Sequence, residues 1–115
     1  MFSLTSSHHF EYYTKPCDMR KGFESLCGLV RSELNRDPIS GEVFVFMNRP
    51  RNTIKLLHWE RDGLVIYHKR LEKGTFSIPK LEPGESRLQW PDLVLMVEGI
   101  IVEKVVQRPR FNRNI

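Results

Sequence analysis

Two stretches of this chain, residues 53–60 (TIKLLHWE) and 64–71 (LVIYHKRL), are rich in β-branched and aromatic residues and meet at Asp62-Gly63. An Asp-Gly pair tolerates the left-handed backbone of a tight type I′ turn, so the two stretches read as one hairpin. A third stretch, residues 43–48 (VFVFMN), precedes them across residues 49–52 (RPRN), which supply a second loop. Ser40-Gly41 marks the turn that opens it. The expected core is therefore an antiparallel meander.

Loop lengths fix registers, and registers fix faces. A two-residue loop at Asp62-Gly63 sets Arg61 against Leu64, Trp59 against Ile66, Leu57 against His68 and Lys55 against Arg70. A four-residue loop at 49–52 sets Phe46 against Lys55 and Phe44 against Leu57. One face then carries Val45, Met47, Ile54, Leu56, Val65 and Tyr67, a surface suited to an amphipathic helix. The other carries Phe44, Phe46, Leu57, Trp59 and Ile66 and ends in Lys55 and Arg70, with His68 nearby. Two cations directly opposite one another repel unless water screens them or an anion lies between them, which is a motive to suspect a phosphate.

The helix is expected to precede the meander. Met19, Phe23, Leu26, Val30 and Leu34 recur at spacings of three or four. Asp18 is the expected N-cap and Asp37-Pro38 the end. Gly22 and Gly28 each cost up to about 1 kcal/mol relative to Ala, so tertiary packing has to stabilise this helix. Before it, residues 9–14 (HFEYYT) suit a short strand that Pro16 stops. After the meander, Pro79, Pro83 and Gly84 break residues 76–85 into a loop. Trp90-Pro91 opens a second, shorter C-terminal helix, with Leu93, Met96, Val97 and Ile100 on one face and a Val-rich strand as the rival reading. The fold class is α+β: a meander of three to four strands packed on an N-terminal amphipathic helix. Its 115 residues suit one domain. The core spans about 10–101, and 1–8 and 104–115 are loose ends. Lys104, Arg108, Arg110 and Arg113 follow the last acid and suit a basic arm.

Composition narrows the function classes. Apolar residues make up 40% and charged residues 28%, the balance of a globular protein, and no apolar run approaches the roughly 18 residues a membrane span needs. Residues 1–9 have neither the basic start nor the apolar stretch of a secretory signal, which points to the cytoplasm. Cys17 and Cys27 form no Cys-x-x-Cys pair and read as reduced thiols, Cys27 as a buried one. Eighteen Lys and Arg against fourteen Asp and Glu give a net charge of +4, which favours polyanionic partners.

No enzymatic constellation is present: there is no Gly-rich phosphate loop, nucleophile elbow, His-Glu-x-x-His or zinc-spaced Cys and His set. His58 and His68 fall on opposite faces, and His8-His9 suits exposure better than ligation. No cofactor and no metal is implied. What remains is the basic stretch from Arg49 to Lys73. Arg49, Arg51, Lys55, Lys69 and Arg70 would meet phosphates, with Arg20 and Lys21 as weaker candidates at the helix start. The helix dipole disfavours cations there, which calls for an acidic partner or an intramolecular carboxylate. Trp59 is expected to pack beneath the C-terminal segment rather than stack on a base.

A set of these residues resembles a known family. Asp18-Met19-Arg20-Lys21 with Phe23, Leu29-Val30-Arg31, Asp37-Pro38 with Ser40-Gly41, and Val43-Phe44-Val45-Phe46 with Asn48-Arg49 carry the first half of the likeness. Lys55-Leu56-Leu57 with Trp59, Asp62-Gly63, Tyr67, Lys69-Arg70-Leu71-Glu72, Gly74 and Glu98-Gly99-Ile100 carry the second. Together they resemble the TnpB accessory protein of insertion-sequence-sixty-six-type transposons. The sequence departs at Ile78-Pro79, where that family often has Trp before Pro, and after Ile101.

The resemblance implies a small protein of a bacterial mobile element, required for transposition. Its partners would be transposon DNA, a second accessory protein and a larger transposase that holds the catalytic acids. In this sequence Asp18, Asp37, Asp62 and Asp92 fall at expected caps and turns instead. The expected function is a non-catalytic, DNA-binding accessory factor. The alternative is a protein-interaction adaptor for the transposase, using Phe44, Phe46 and Trp59 as an exposed patch and binding no DNA itself.

Overall fold

The computed structural model describes residues 4–99 and 101. Seven elements follow in order: β1 (Phe10–Tyr12), α1 (Phe23–Ser32), β2 (Val43–Met47), β3 (Thr53–Glu60), β4 (Gly63–Arg70), β5 (Arg87–Leu88) and α2 (Trp90–Glu98). The class is α+β, but the sheet is larger than a meander. Five strands lie in the order β4-β3-β2-β1-β5, with β2, β3 and β4 antiparallel as expected. β1 runs parallel to β2, and β5 closes the other edge antiparallel to β1. A parallel pair needs a crossover, which the segment containing α1 provides.

The two helices cover opposite faces. Leu26, Cys27 and Val30 of α1 pack on Phe44, Phe46 and Leu57. Leu93, Met96 and Val97 of α2 pack on Val45, Met47, Ile54 and Leu56, joined by Leu4, Phe10 and Phe76. The two expected faces therefore exist, but the first helix lies on the aromatic one. The apolar run of β2 explains why: all five of its side chains are buried, as in a strand covered on both sides. Each fully buried Phe or Leu contributes about 1.5–3 kcal/mol. Phe44 and Phe46, both 0% exposed, cannot form the exposed aromatic patch of the adaptor reading. Trp59 shares the α1 side with Lys55 and Leu57 and is half-buried there, so it does not lie under the C-terminal segment.

The first helix starts later and ends earlier than its periodicity predicts. Its N-cap is Gly22, not Asp18, and it ends at Ser32. Asp18 instead closes a short turn, its Oδ1 accepting from the Arg20 amide at 2.9 Å. The Lys55 ammonium donates to the carbonyls of Met19 and Lys21, both at 2.8 Å, and so occupies oxygens that a longer helix would use internally. Helix α2 begins where expected, with a reciprocal capping box between Gln89 and Asp92. Ile100 and the basic arm at 104–115 lie outside the described residues.

The β2–β3 register is as read from the sequence, with Phe46 against Lys55 and Phe44 against Leu57. The β3–β4 register is shifted by two, so that Glu60 pairs with Gly63, Trp59 with Leu64, Leu57 with Ile66 and Lys55 with His68. Arg61 and Asp62 form the tip, and Arg61 takes the positive φ of 55°. A shift of two keeps every side chain on its expected face. It does remove the Lys55–Arg70 opposition, because Arg70 faces Thr53. Among the described residues, no helix is long and apolar enough to cross a membrane.

Candidate nucleic-acid interface

The loop between β2 and β3 is organised by one side chain. Asn48 Oδ1 accepts from the amides of Asn52 and Thr53, both at 3.0 Å, while its Nδ2 donates to Asn52 Oδ1 at 2.7 Å. The Arg51 amide donates to the Asn48 carbonyl at 3.1 Å. Two further bonds tie the loop to the chain beyond β4: Leu71 N–H to the Asn52 carbonyl and Phe76 N–H to the Arg51 carbonyl, each at 2.8 Å. Within this frame Arg51 adopts φ 62°, a left-handed backbone that side chains other than Gly, Asn and Asp rarely take. Surrounding bonds thus hold two exposed arginines, Arg49 and Arg51, in a fixed loop.

A groove of about 560 Å³ runs along the α1 side of this loop, bounded by Asp18 and Arg20, by Asn48, Pro50 and Asn52, and by His68 and Arg70. Arg20 lies across Asp18, with Nη2 at 2.7 Å from Oδ2, so the intramolecular carboxylate called for at this point is Asp18. The Arg20 side chain and amide together hold the Asp18 carboxyl far below the ordinary carboxylate range. His68 is exposed, yet partial desolvation, followed by the charges of Lys55 and Arg70, depresses its imidazole below the usual histidine value. A nearby anion would raise its proton affinity.

The sequence-selected cations share one end of the sheet, not one face. Arg20, Lys21, Lys55 and Arg70 belong to the α1 side. Lys69, opposite Ile54, belongs to the α2 side. Arg51 also acts there, since its charge offsets part of the rise that burial causes in the Tyr12 phenol. Lys55 is only 8% exposed and spends its ammonium on the two carbonyls of the 19–21 turn, so it shapes the groove from beneath. Among the described residues, Arg49, Arg51, Lys69 and Arg70 form no ion pair with a carboxylate.

Sequence reasoning missed Asn48 as the organiser of the loop, whereas His68 lies near Arg70 on the groove wall, on the face where the sequence put it. Asn48 had a signal, an Asn immediately after a buried strand and before Arg-Pro, the position of a side chain that bonds its own turn. It also missed Glu11, a carboxylate 1% exposed within β1 that receives Arg87 at 3.0 Å, Arg36 at 3.4 Å and the Ser86 hydroxyl at 2.6 Å.

Other titratable groups are engaged in structure. Asp37 accepts from the Ile39 amide, Glu42 pairs with Arg36, and Glu60 accepts from the Tyr67 hydroxyl. His58 is buried beside His8, their rings 5.0 Å apart and edge-on. Cys17 and Cys27 are free and buried, and burial raises both thiols above their ordinary value. No three His, Cys, Asp or Glu side chains among the described residues gather as metal ligands would.

Comparison with known proteins places the chain in context. The family model described as IS66 Orf2-like protein matches residues 9–107. Two uncharacterised proteins of Sinorhizobium fredii (strain NBRC 101917 / NGR234) are similar. One, y4jC, is 31% identical over 96 residues, covering 84% of this chain and 82% of its own. The other, y4hO, is 34% identical over 83 residues, covering 72% of each. No solved structure matches.

Proposed function

This chain belongs to the IS66 Orf2-like family, the TnpB accessory proteins of insertion sequences, and from that premise we propose that it binds the DNA of its element without catalysing strand transfer. The observation that carries this reading is the loop at 48–53: Arg49 and Arg51 project from a backbone that Asn48 fixes, beside the groove of Arg20, His68 and Arg70. A loop backbone that is already ordered has little backbone freedom to lose when its exposed cations meet phosphates, so more of their Coulombic gain is retained on binding. Arg49, Arg51, Lys69, Arg70 and Arg20 contact the backbone from the end of the sheet, and Lys21 flanks them. Lys55 contributes by positioning the 19–21 turn, not by direct contact.

The non-catalytic part rests on where the carboxylates are. Asp18, Asp37 and Asp92 close turns or caps, while Glu11 and Glu42 hold arginines. An acidic strand-transfer site needs carboxylates gathered around metal ions. In this reading that chemistry belongs to the transposase of the same element, and a second accessory protein completes the set of partners in the cytoplasm.

The test is binding of the purified chain to labelled element-end and scrambled DNA across a salt series, with and without the transposase. Salt-dependent binding by the chain alone supports the DNA-binding reading. Binding seen only with the transposase would replace it with the adaptor reading.

A further inference from the structure

Among the described residues, β4 is an edge of the sheet with no strand on its outer side. The Leu71 amide donates to the Asn52 carbonyl, which makes 52 and 71 a hydrogen-bonded pair. Antiparallel pairs alternate between bonded and non-bonded, so 54·69, 56·67, 58·65 and 60·63 are bonded too. The amides and carbonyls of Leu64, Ile66, His68 and Arg70 therefore point away from β3, and no described backbone group meets them. The register runs without interruption from Thr53↔Arg70 to Glu60↔Gly63, so no bulge twists this edge away. It also lacks Pro, another common protection. An edge of eight residues extends about 26 Å.

We propose that this edge pairs with the β4 edge of a second copy of the chain, antiparallel about a two-fold axis at Ile66. The occupant is argued from charge and from cross-strand pairs. The hairpin tip holds two acids and one cation, Glu60, Arg61 and Asp62, whereas the other end carries His68, Lys69 and Arg70, with Glu72 beyond the strand. Antiparallel self-pairing brings the tip of each copy to the basic end of the other. With Ile66 opposite the partner's Ile66, Val65 meets the partner's Tyr67 and Arg70 meets the partner's Asp62, while Glu60, which accepts from its own Tyr67 hydroxyl, falls level with the partner's Glu72 just beyond the strand. Aromatic with β-branched pairs and opposite charges are both favourable across strands. Moving the axis to His68 would set two imidazoles between like charges, and moving it to Tyr67 would set Val65 against Lys69. The half-buried Leu64 and Ile66, packed at the margin of the α1-side core, would then continue that core across the interface. The product is one sheet of ten strands.

The experiment is sedimentation of the full chain without DNA, which keeps it separate from the DNA-binding reading. The expected species has twice the chain mass. Asp62→Arg and Arg70→Asp, both at exposed positions, each weaken association about tenfold, and the double variant restores it. Residues opposite each other in a bonded antiparallel pair have Cα atoms about 5.5 Å apart, within disulfide range. Ile66→Cys therefore oxidises to a covalent dimer, whereas Glu72→Cys does not. A chain that stays monomeric at high micromolar concentration, or a dimer that neither charge reversal weakens and Ile66→Cys does not cross-link, overturns the proposal.

Discussion

The Lys55 ammonium donates to the carbonyl of Met19, 36 positions earlier in the chain, at 2.8 Å and almost out of contact with water. A second bond to the Lys21 carbonyl completes a clasp between the middle of the sheet and the turn before α1. Removing the amine leaves two carbonyls without their donor. Lys55→Met should cost about 2–3 kcal/mol in urea unfolding. It should also weaken DNA binding, because Arg20 and the groove wall lose their support. A variant as stable as the natural chain would show that water replaces the clasp.

Arg51 separates folding from binding. Its φ of 62° is one that glycine adopts without a side-chain penalty. Arg51→Gly should leave stability unchanged or raise it by up to about 1 kcal/mol, since relief of strain competes with the greater freedom of the unfolded chain. The same variant should bind DNA more weakly at every sequence. A loss of stability of more than about 1 kcal/mol would mean that the guanidinium, not the backbone, holds this loop.

Asn48 carries no charge, yet it should matter to a charge-driven function. Asn48→Ala removes the acceptor of two loop amides and should cost about 1–3 kcal/mol. Its DNA affinity should fall although every cation is retained. Unchanged affinity in the folded variant would separate loop order from recognition.

Two histidines predict opposite dependences on pH. Burial, the largest cause, depresses His58 below its ordinary value of 6.5, with a smaller contribution from His8. The unfolded chain then takes up a proton before the folded one. This contribution to stability is present above about pH 6.5 and is lost as pH falls through the folded-state value. His58→Gln should flatten that acid limb in thermal melts. His68 is also depressed, but it lies beside Arg70 on the groove wall where a phosphate is proposed to bind. A bound phosphate raises its proton affinity, so DNA binding should strengthen as pH falls below neutral and His68→Asn should abolish that rise.

The residues show why parts of this fold were legible in the sequence. The buried run at Val43–Met47, the 49–52 loop and the Trp90-Pro91 start are local signals, and the β2–β3 register and α2 follow from them. What was missed depends on distant contacts. Asp18 has the chemistry of a helix cap, but Lys55 takes the carbonyls behind it, and nothing near Asp18 encodes that. Asp62-Gly63 is a sound turn signal, yet the tip forms at Arg61 and Asp62, with the left-handed backbone at Arg61, a residue type that does not announce it. The parallel β1–β2 pair, and with it the burial of Glu11 between Arg36 and Arg87, arises only once the crossover has formed. Charge counting found the cations of the candidate interface but not their division between the two sides of the sheet.

The most direct measurement of DNA contact through the 48–53 loop is the slope of log affinity against log salt. It should be compared between the natural chain and Arg49→Ala, Arg51→Gly and the two combined. Each single variant should lower the slope by about one unit and the pair by about two, with element-end and scrambled DNA affected alike. Slopes identical to that of the natural chain, in variants that fold normally, would contradict phosphate contact through this loop.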